Sequence, residues 1–205
     1  MALIQLFDPG NLSEKHWHED NPVDRFFVPA DTIVSRKAPD FYKLDAQVEV
    51  LINDEGPVVR RRDCSKSDFD CNFWRGDAIL VSRDPSPSAD TLQAPIRLLF
   101  SHGLRALGAW LAVSPVNPND TSFMGSLLTG YLWVRLASQP MLFEPVISNN
   151  GITGRSLQPG TPVTAPFVGV RADPGDPIVE ARFDAGLMGN RRFDRIALSE
   201  LYFEV

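Results

Sequence analysis

Tyr131, Trp133 and Arg135 alternate with Leu132, Val134 and Leu136. In a β-strand this spacing places the first three on one face and the apolar three on the other. An aromatic ring stacks on the C–H face of a sugar while a guanidinium donates to its hydroxyls, so such a strand carries the parts of a glycan platform. Trp74, which follows the polar run 63–72, is a further ligand-binding candidate as the flank of a pocket at the sandwich edge. The competing reading places Tyr131 and Trp133 in a core or under a loop and makes Trp74 a core anchor, because large aromatics are mostly buried.

Asp68, Asp70 and Asn72 have the alternating oxygen spacing that opens a calcium loop. An EF-hand then needs glycine at its sixth position and glutamate at its twelfth, where this chain has Phe73 and Ile79. The run is therefore either a calcium site completed by distant carboxylates or a solvated acidic loop, and calcium is the one cofactor the sequence raises. His16 and His18, beside Glu19 and Asp20, offer nitrogen and oxygen ligands to a transition metal but have no identifiable third partner. His102 precedes Gly103 and reads as a turn residue. Cys64 and Cys71 are spaced too widely for a zinc knuckle; they form a local disulfide if the protein is exported and stay as two thiols in the cytosol.

No nucleophile elbow, phosphate-binding glycine loop or zinc-protease helix occurs. Acid pairs such as Asp54-Glu55 lie in turn-forming stretches, where they serve solubility as readily as catalysis. An enzyme would have to be assembled from scattered groups, among them Asp68, Asp70, His16, His18 and His102, and its catalytic residues are not identifiable from the string.

A formal charge of -6 and a pI near 5.0 argue against a nucleic-acid backbone as partner, which demands a concentrated cationic face. Arg60-Arg61-Arg62 meets Asp63 at once and reads as a solvated strand end. Residues 1–7 lack the basic and apolar regions of a secretory signal. The longest apolar stretch, 104–113, contains Arg105 and falls far short of the roughly 20 residues a membrane helix needs. The expectation is a chain with no membrane span, cytoplasmic as given, or secreted if a signal was removed.

These groups have to be positioned by short elements, because 17 prolines spread along the chain leave few windows for a long helix. Residues 47–53 alternate with Val48, Val50 and Ile52 on one face, and Asn53-Asp54-Glu55-Gly56 predicts a hairpin into Pro57-Val58-Val59. Further strands are predicted at 77–82, 96–100, 104–113, 130–137, 164–171, 178–183 and 195–204. Turns are predicted at 84–88, 117–120, 149–151 and 173–177, where Asn, Asp, Gly, Pro and Ser cluster. The apolar spacing over 96–113 would also suit a helix, but Gly103 and Gly108 each cost it about 1 kcal/mol, so two strands joined at Ser101-His102-Gly103 are predicted. The fold expected is all-β, a two-sheet antiparallel β-sandwich of jelly-roll type. It forms one domain over 1–205, with an N-terminal segment, 1–45, that is hard to place and packs on it.

The stretch from Phe100 through Ser101-His102-Gly103-Leu104-Arg105-Ala106-Leu107-Gly108-Ala109 to Trp110 resembles the strand pair of bacterial jelly-roll sandwich domains, including those that precede PEP-CTERM sorting tails. Phe167-Val168-Gly169-Val170, the 173–177 turn, Ile178 to Phe183, and Phe193 through Ile196-Ala197-Leu198 to Leu201 and Phe203 follow the same order. Ser199 stands where such domains often carry an acidic residue in the final strand. The resemblance implies a surface or carbohydrate-associated module.

The leading expectation is thus a non-catalytic, ligand-binding β-sandwich with a glycan as ligand and Tyr131, Trp133, Arg135 and Trp74 as its contacts. Two alternatives stand beside it. One is an enzyme working on a small molecule or glycan in a cleft of the sandwich. The other is a structural or assembly protein that adds a protein partner, or a second copy of itself, along an edge strand.

Overall fold

A computed structural model describes residues 3–15, 42–52, 58–63, 73, 78–83, 95–116, 120, 123, 125–139, 147–153, 165–189 and 193–205. Among these residues the regular elements are all strands, and they form two antiparallel sheets packed as a β-sandwich. Sheet A runs in the order β1 (Ile4–Leu6), β11 (Phe167–Arg171), β8 (Ala106–Ser114), β13 (Arg195–Glu204), β6 (Ala78–Arg83) and β5 (Val58–Asp63). A short β2 (Ser13–Lys15) shares the β6 side of β13 by pairing with its second half. Sheet B runs β10 (Ile147–Ile152), β9 (Leu127–Leu136), β12 (Ile178–Leu187), β7 (Ile96–Leu104), β4 (Glu49–Ile52) and β3 (Tyr42–Lys43).

Strand alternation builds the core. Val50 and Ile52 of β4, Leu98 of β7, Leu132 and Val134 of β9 and Phe183 of β12 point inward from sheet B. They pack against Leu107, Leu111, Val168, Leu198 and Leu201 of sheet A in one buried cluster. Each fully buried aliphatic or aromatic side chain of this kind contributes about 1.5–3 kcal/mol. The outer face of sheet A is covered as well: Ile79, Val81, Ala112 and Ala197 are buried with Phe73 and Ala165 in a second apolar cluster.

Three expectations are corrected. The residues on either side of the 53–56 turn do not form a hairpin, because β4 pairs with β7 in sheet B and β5 pairs with β6 in sheet A. The hairpin lies one step upstream, between β3 and β4, where the Asp45 carboxylate accepts the Gln47 and Val48 N–H groups at 2.7 Å and closes the turn. Ser101-His102-Gly103 continues β7; the chain crosses between sheets at Arg105, whose N–H donates to Glu204 O and whose carbonyl accepts from Ala172. Asn149-Asn150-Gly151 is part of edge strand β10, not a turn. Its amides take roles a turn would have left to the backbone, with Thr129 Oγ1 donating to Asn150 Oδ1 and Asn149 Nδ2 donating to Phe167 O.

That last bond crosses the open side of the sandwich. Gln5 Nε2 makes a parallel link to Ser148 O at 2.5 Å, so β1 and β11 of sheet A are tied to β10 of sheet B. The N-terminal residues thus contribute two strands to sheet A, a placement their composition did not reveal.

Candidate functional site

Sheet B's outer face carries a row of aromatic and charged side chains along β9 and β12. Leu128, Leu132, Val134 and Leu136 of β9 are buried in the core, so Thr129, Tyr131, Trp133 and Arg135 project outward, each half-buried. Tyr131 and Trp133 lie side by side with ring centroids 5.8 Å apart and planes inclined at 40°. The predicted alternation is therefore the observed one, and the two rings belong to the outer face rather than to a core.

The adjacent strand β12 completes the surface. Its residues Ala181 and Phe183 point into the core, leaving Glu180, Arg182 and Asp184 on the same side as the aromatics. Register sets Asp184 opposite Tyr131, Arg182 opposite Trp133 and Glu180 opposite Arg135. Gly186 stands opposite Thr129, and a methyl group there would lie 3.2 Å from Tyr131 Cε2. The missing side chain is what lets the tyrosine ring lie across β12.

Glu180 is the electrostatic centre of the face. Its carboxylate is 2% exposed, and it accepts from Arg97 Nε of β7 and from Arg135 Nε at 2.7 Å. Burial alone would raise its pKa, but the hydrogen bonds and charges of Arg97 and Arg135 outweigh burial and hold it below the usual carboxylate value. Arg135, expected from sequence to serve a ligand, is thus first a partner of Glu180.

Asp184 has the opposite character. Burial beside the aromatics raises its pKa, against the lowering effects of the Ala185 N–H, which donates to Oδ1 at 2.7 Å, and of Arg182. The two carboxylates stand four residues apart on one strand, a separation of about 13 Å. Paired-acid glycoside chemistry needs roughly 5–9.5 Å, so Glu180 and Asp184 do not have the spacing of such a pair.

A second aromatic group lies on the outer face of sheet A. Phe167, 1% exposed, covers Gly169 and Gly108 and makes edge contacts with Trp110 at 5.3 Å and Tyr202 at 5.8 Å. Tyr202 Oη donates to Glu14 at 2.9 Å, and burial followed by that carboxylate pushes the phenol above its usual range. Phe167 at its centre is packed, and the Tyr202 hydroxyl is engaged by Glu14.

Sequence reasoning located Tyr131, Trp133 and Arg135 but missed Glu180, Asp184, Arg182 and Arg97. The signal was present in the alternation of Glu180, Arg182 and Asp184 with Ala181 and Phe183. Trp74, Asp68, Asp70, Asn72, His16, His18, Cys64 and Cys71 lie outside the described residues. His102 is exposed on β7, with Ser101 Oγ 3.4 Å from its Nδ1. Among the described residues no group of three or more His, Cys, Asp or Glu side chains is placed to hold a metal ion, and no helix is long and apolar enough to cross a membrane.

No family model matches the chain, and no curated protein matches it. Among solved structures it is similar to the K2 cleaved adhesin domain of Lys-gingipain, at 14% identity and a TM-score of 0.41, covering 86% of this chain and 100% of that one. It is also similar to a DUF4465 family protein from Bacteroides caccae, at 9% identity and a TM-score of 0.44, with 100% of both chains covered.

Proposed function

We propose that the protein is a ligand-binding β-sandwich whose contact surface is the outer face of β9 and β12, and that its ligand is a carbohydrate. The observation that carries this reading is the pairing of two adjacent outward aromatics, Tyr131 and Trp133, with the polar residues Asp184 and Arg182 directly across the strand pair. Sugars need that combination: a ring face for their C–H groups and hydrogen-bonding groups beside it for their hydroxyls. The Glu180 ion pairs hold the strands beneath in register, so the platform is rigid before a ligand arrives. The resemblance of the 100–110 and 167–203 segments to bacterial surface sandwiches favours the same ligand class.

A glycan array probed with native protein and with Trp133→Ala tests the reading. Native protein is expected to give selective signal, and the variant to lose it while keeping its Tm within about 4 °C, as expected for loss of roughly 1 kcal/mol or less in a domain of this size. A folded native protein with no signal removes the carbohydrate assignment. A variant that unfolds returns Trp133 to a structural role.

A further inference from the structure

On the outer face of sheet B, the two aromatics of β9 and the two polar residues of β12 form a square, with Asp184 across from Tyr131 and Arg182 across from Trp133. Directly opposed residues have Cβ atoms about 4.5–5.5 Å apart, so all four side chains border one small patch. Asp184 uses Oδ1 to accept the Ala185 N–H. The side chain is half-buried, so part of it stays open to a ligand on this face.

We infer that Asp184 is the specificity-determining acceptor of this surface, taking hydrogen bonds from adjacent hydroxyls of a neutral sugar ring stacked on Trp133. The inference rests on the carbohydrate reading of the face and adds the residue that orients the ligand. Neutral sugars are favoured because the Arg97 and Arg135 guanidiniums are already held by Glu180, while at the stacking position the charges of Asp184 and Arg182 offset each other. The groups around Asp184 are Arg182 on its own strand, Tyr131 and Thr129 on β9, and Arg97 on β7, which pairs with β12 on its other side. Its raised pKa adds a pH signature, since only the ionised form accepts at both oxygens.

The test is calorimetric titration of native protein, Asp184→Asn and Trp133→Ala with four neutral hexasaccharides (maltohexaose, cellohexaose, xylohexaose and mannohexaose), at neutral pH and at acid pH. Native protein is expected to bind at least one and to weaken as Asp184 takes up its proton. Asp184→Asn is expected to bind that sugar roughly ten-fold or more weakly, the loss of a hydrogen bond to a charged group, and to lose the pH dependence. An unchanged affinity and pH profile in Asp184→Asn, with binding abolished in Trp133→Ala, overturns the inference and leaves the reading of the face intact. Failure of folded native protein to bind any of the four contradicts both.

Discussion

Arg135 donates from Nε and Nη2 to Glu180 Oε2, at 2.7 and 2.6 Å, across the β9–β12 register. Arg97 approaches the other carboxylate oxygen from β7, so one buried acid joins three neighbouring strands of sheet B. Replacing Glu180 by Gln leaves two guanidiniums facing each other without a countercharge. The expected loss is about 2–4 kcal/mol, below the full cost of a buried pair because Arg97 and Arg135 are 22% and 21% exposed. Urea denaturation of Glu180→Gln measures it.

The same acid predicts a response to pH. A carboxyl whose folded pKa lies below its unfolded value of 4.5 stabilises the fold above that value, and the contribution is lost as pH falls through the folded pKa. Native protein should therefore lose stability on acidification in that window. Glu180→Gln should lose less over the same range, as read from Tm against pH.

Asp184 predicts the reverse sign. Its folded pKa lies above its unfolded value of 3.8, so the folded state holds the proton more tightly and stability falls as pH rises from 3.8 through the folded pKa. Asp184→Asn, which keeps an oxygen for the Ala185 N–H, should accordingly have a higher Tm than native protein at neutral pH. A gain in stability joined to a loss of binding is what a group retained for a ligand produces.

Gly108 tests the packing of the opposite sheet. A methyl group there would lie 2.9 Å from Gly169 Cα and would also strike the Phe167 ring. One of these obstacles is backbone and the other belongs to a side chain 1% exposed. Gly108→Ala should cost about 1–3 kcal/mol, the range for overpacking, and should alter near-ultraviolet circular dichroism through Trp110 and Tyr202.

Much of this arrangement was legible in the string, for identifiable reasons. Leu132, Val134 and Leu136 announce the buried side of β9 by period alone, and Tyr131, Trp133 and Arg135 follow by exclusion. What period cannot supply is which strand lies alongside. Glu180 and Asp184 become part of the site only through the β12 register, a long-range fact that local alternation does not encode. The same limit explains the hairpin expected across 53–56: turn chemistry predicts a reversal but not whether the next strand joins the same sheet. Asn149-Asn150-Gly151 misled because the residues that favour turns also serve on an edge strand when their amides find partners, as both asparagines do here.

The most direct test of the central claim is which face a sugar touches, and amide and indole resonances followed by NMR during titration with an array-selected neutral glycan decide it. The account predicts shifts concentrated at Tyr131, the Trp133 indole, Arg182, Asp184 and Gly186, with Trp110 and Tyr202 unmoved. Shifts centred on Trp110 and Tyr202 would place the ligand on sheet A and contradict it.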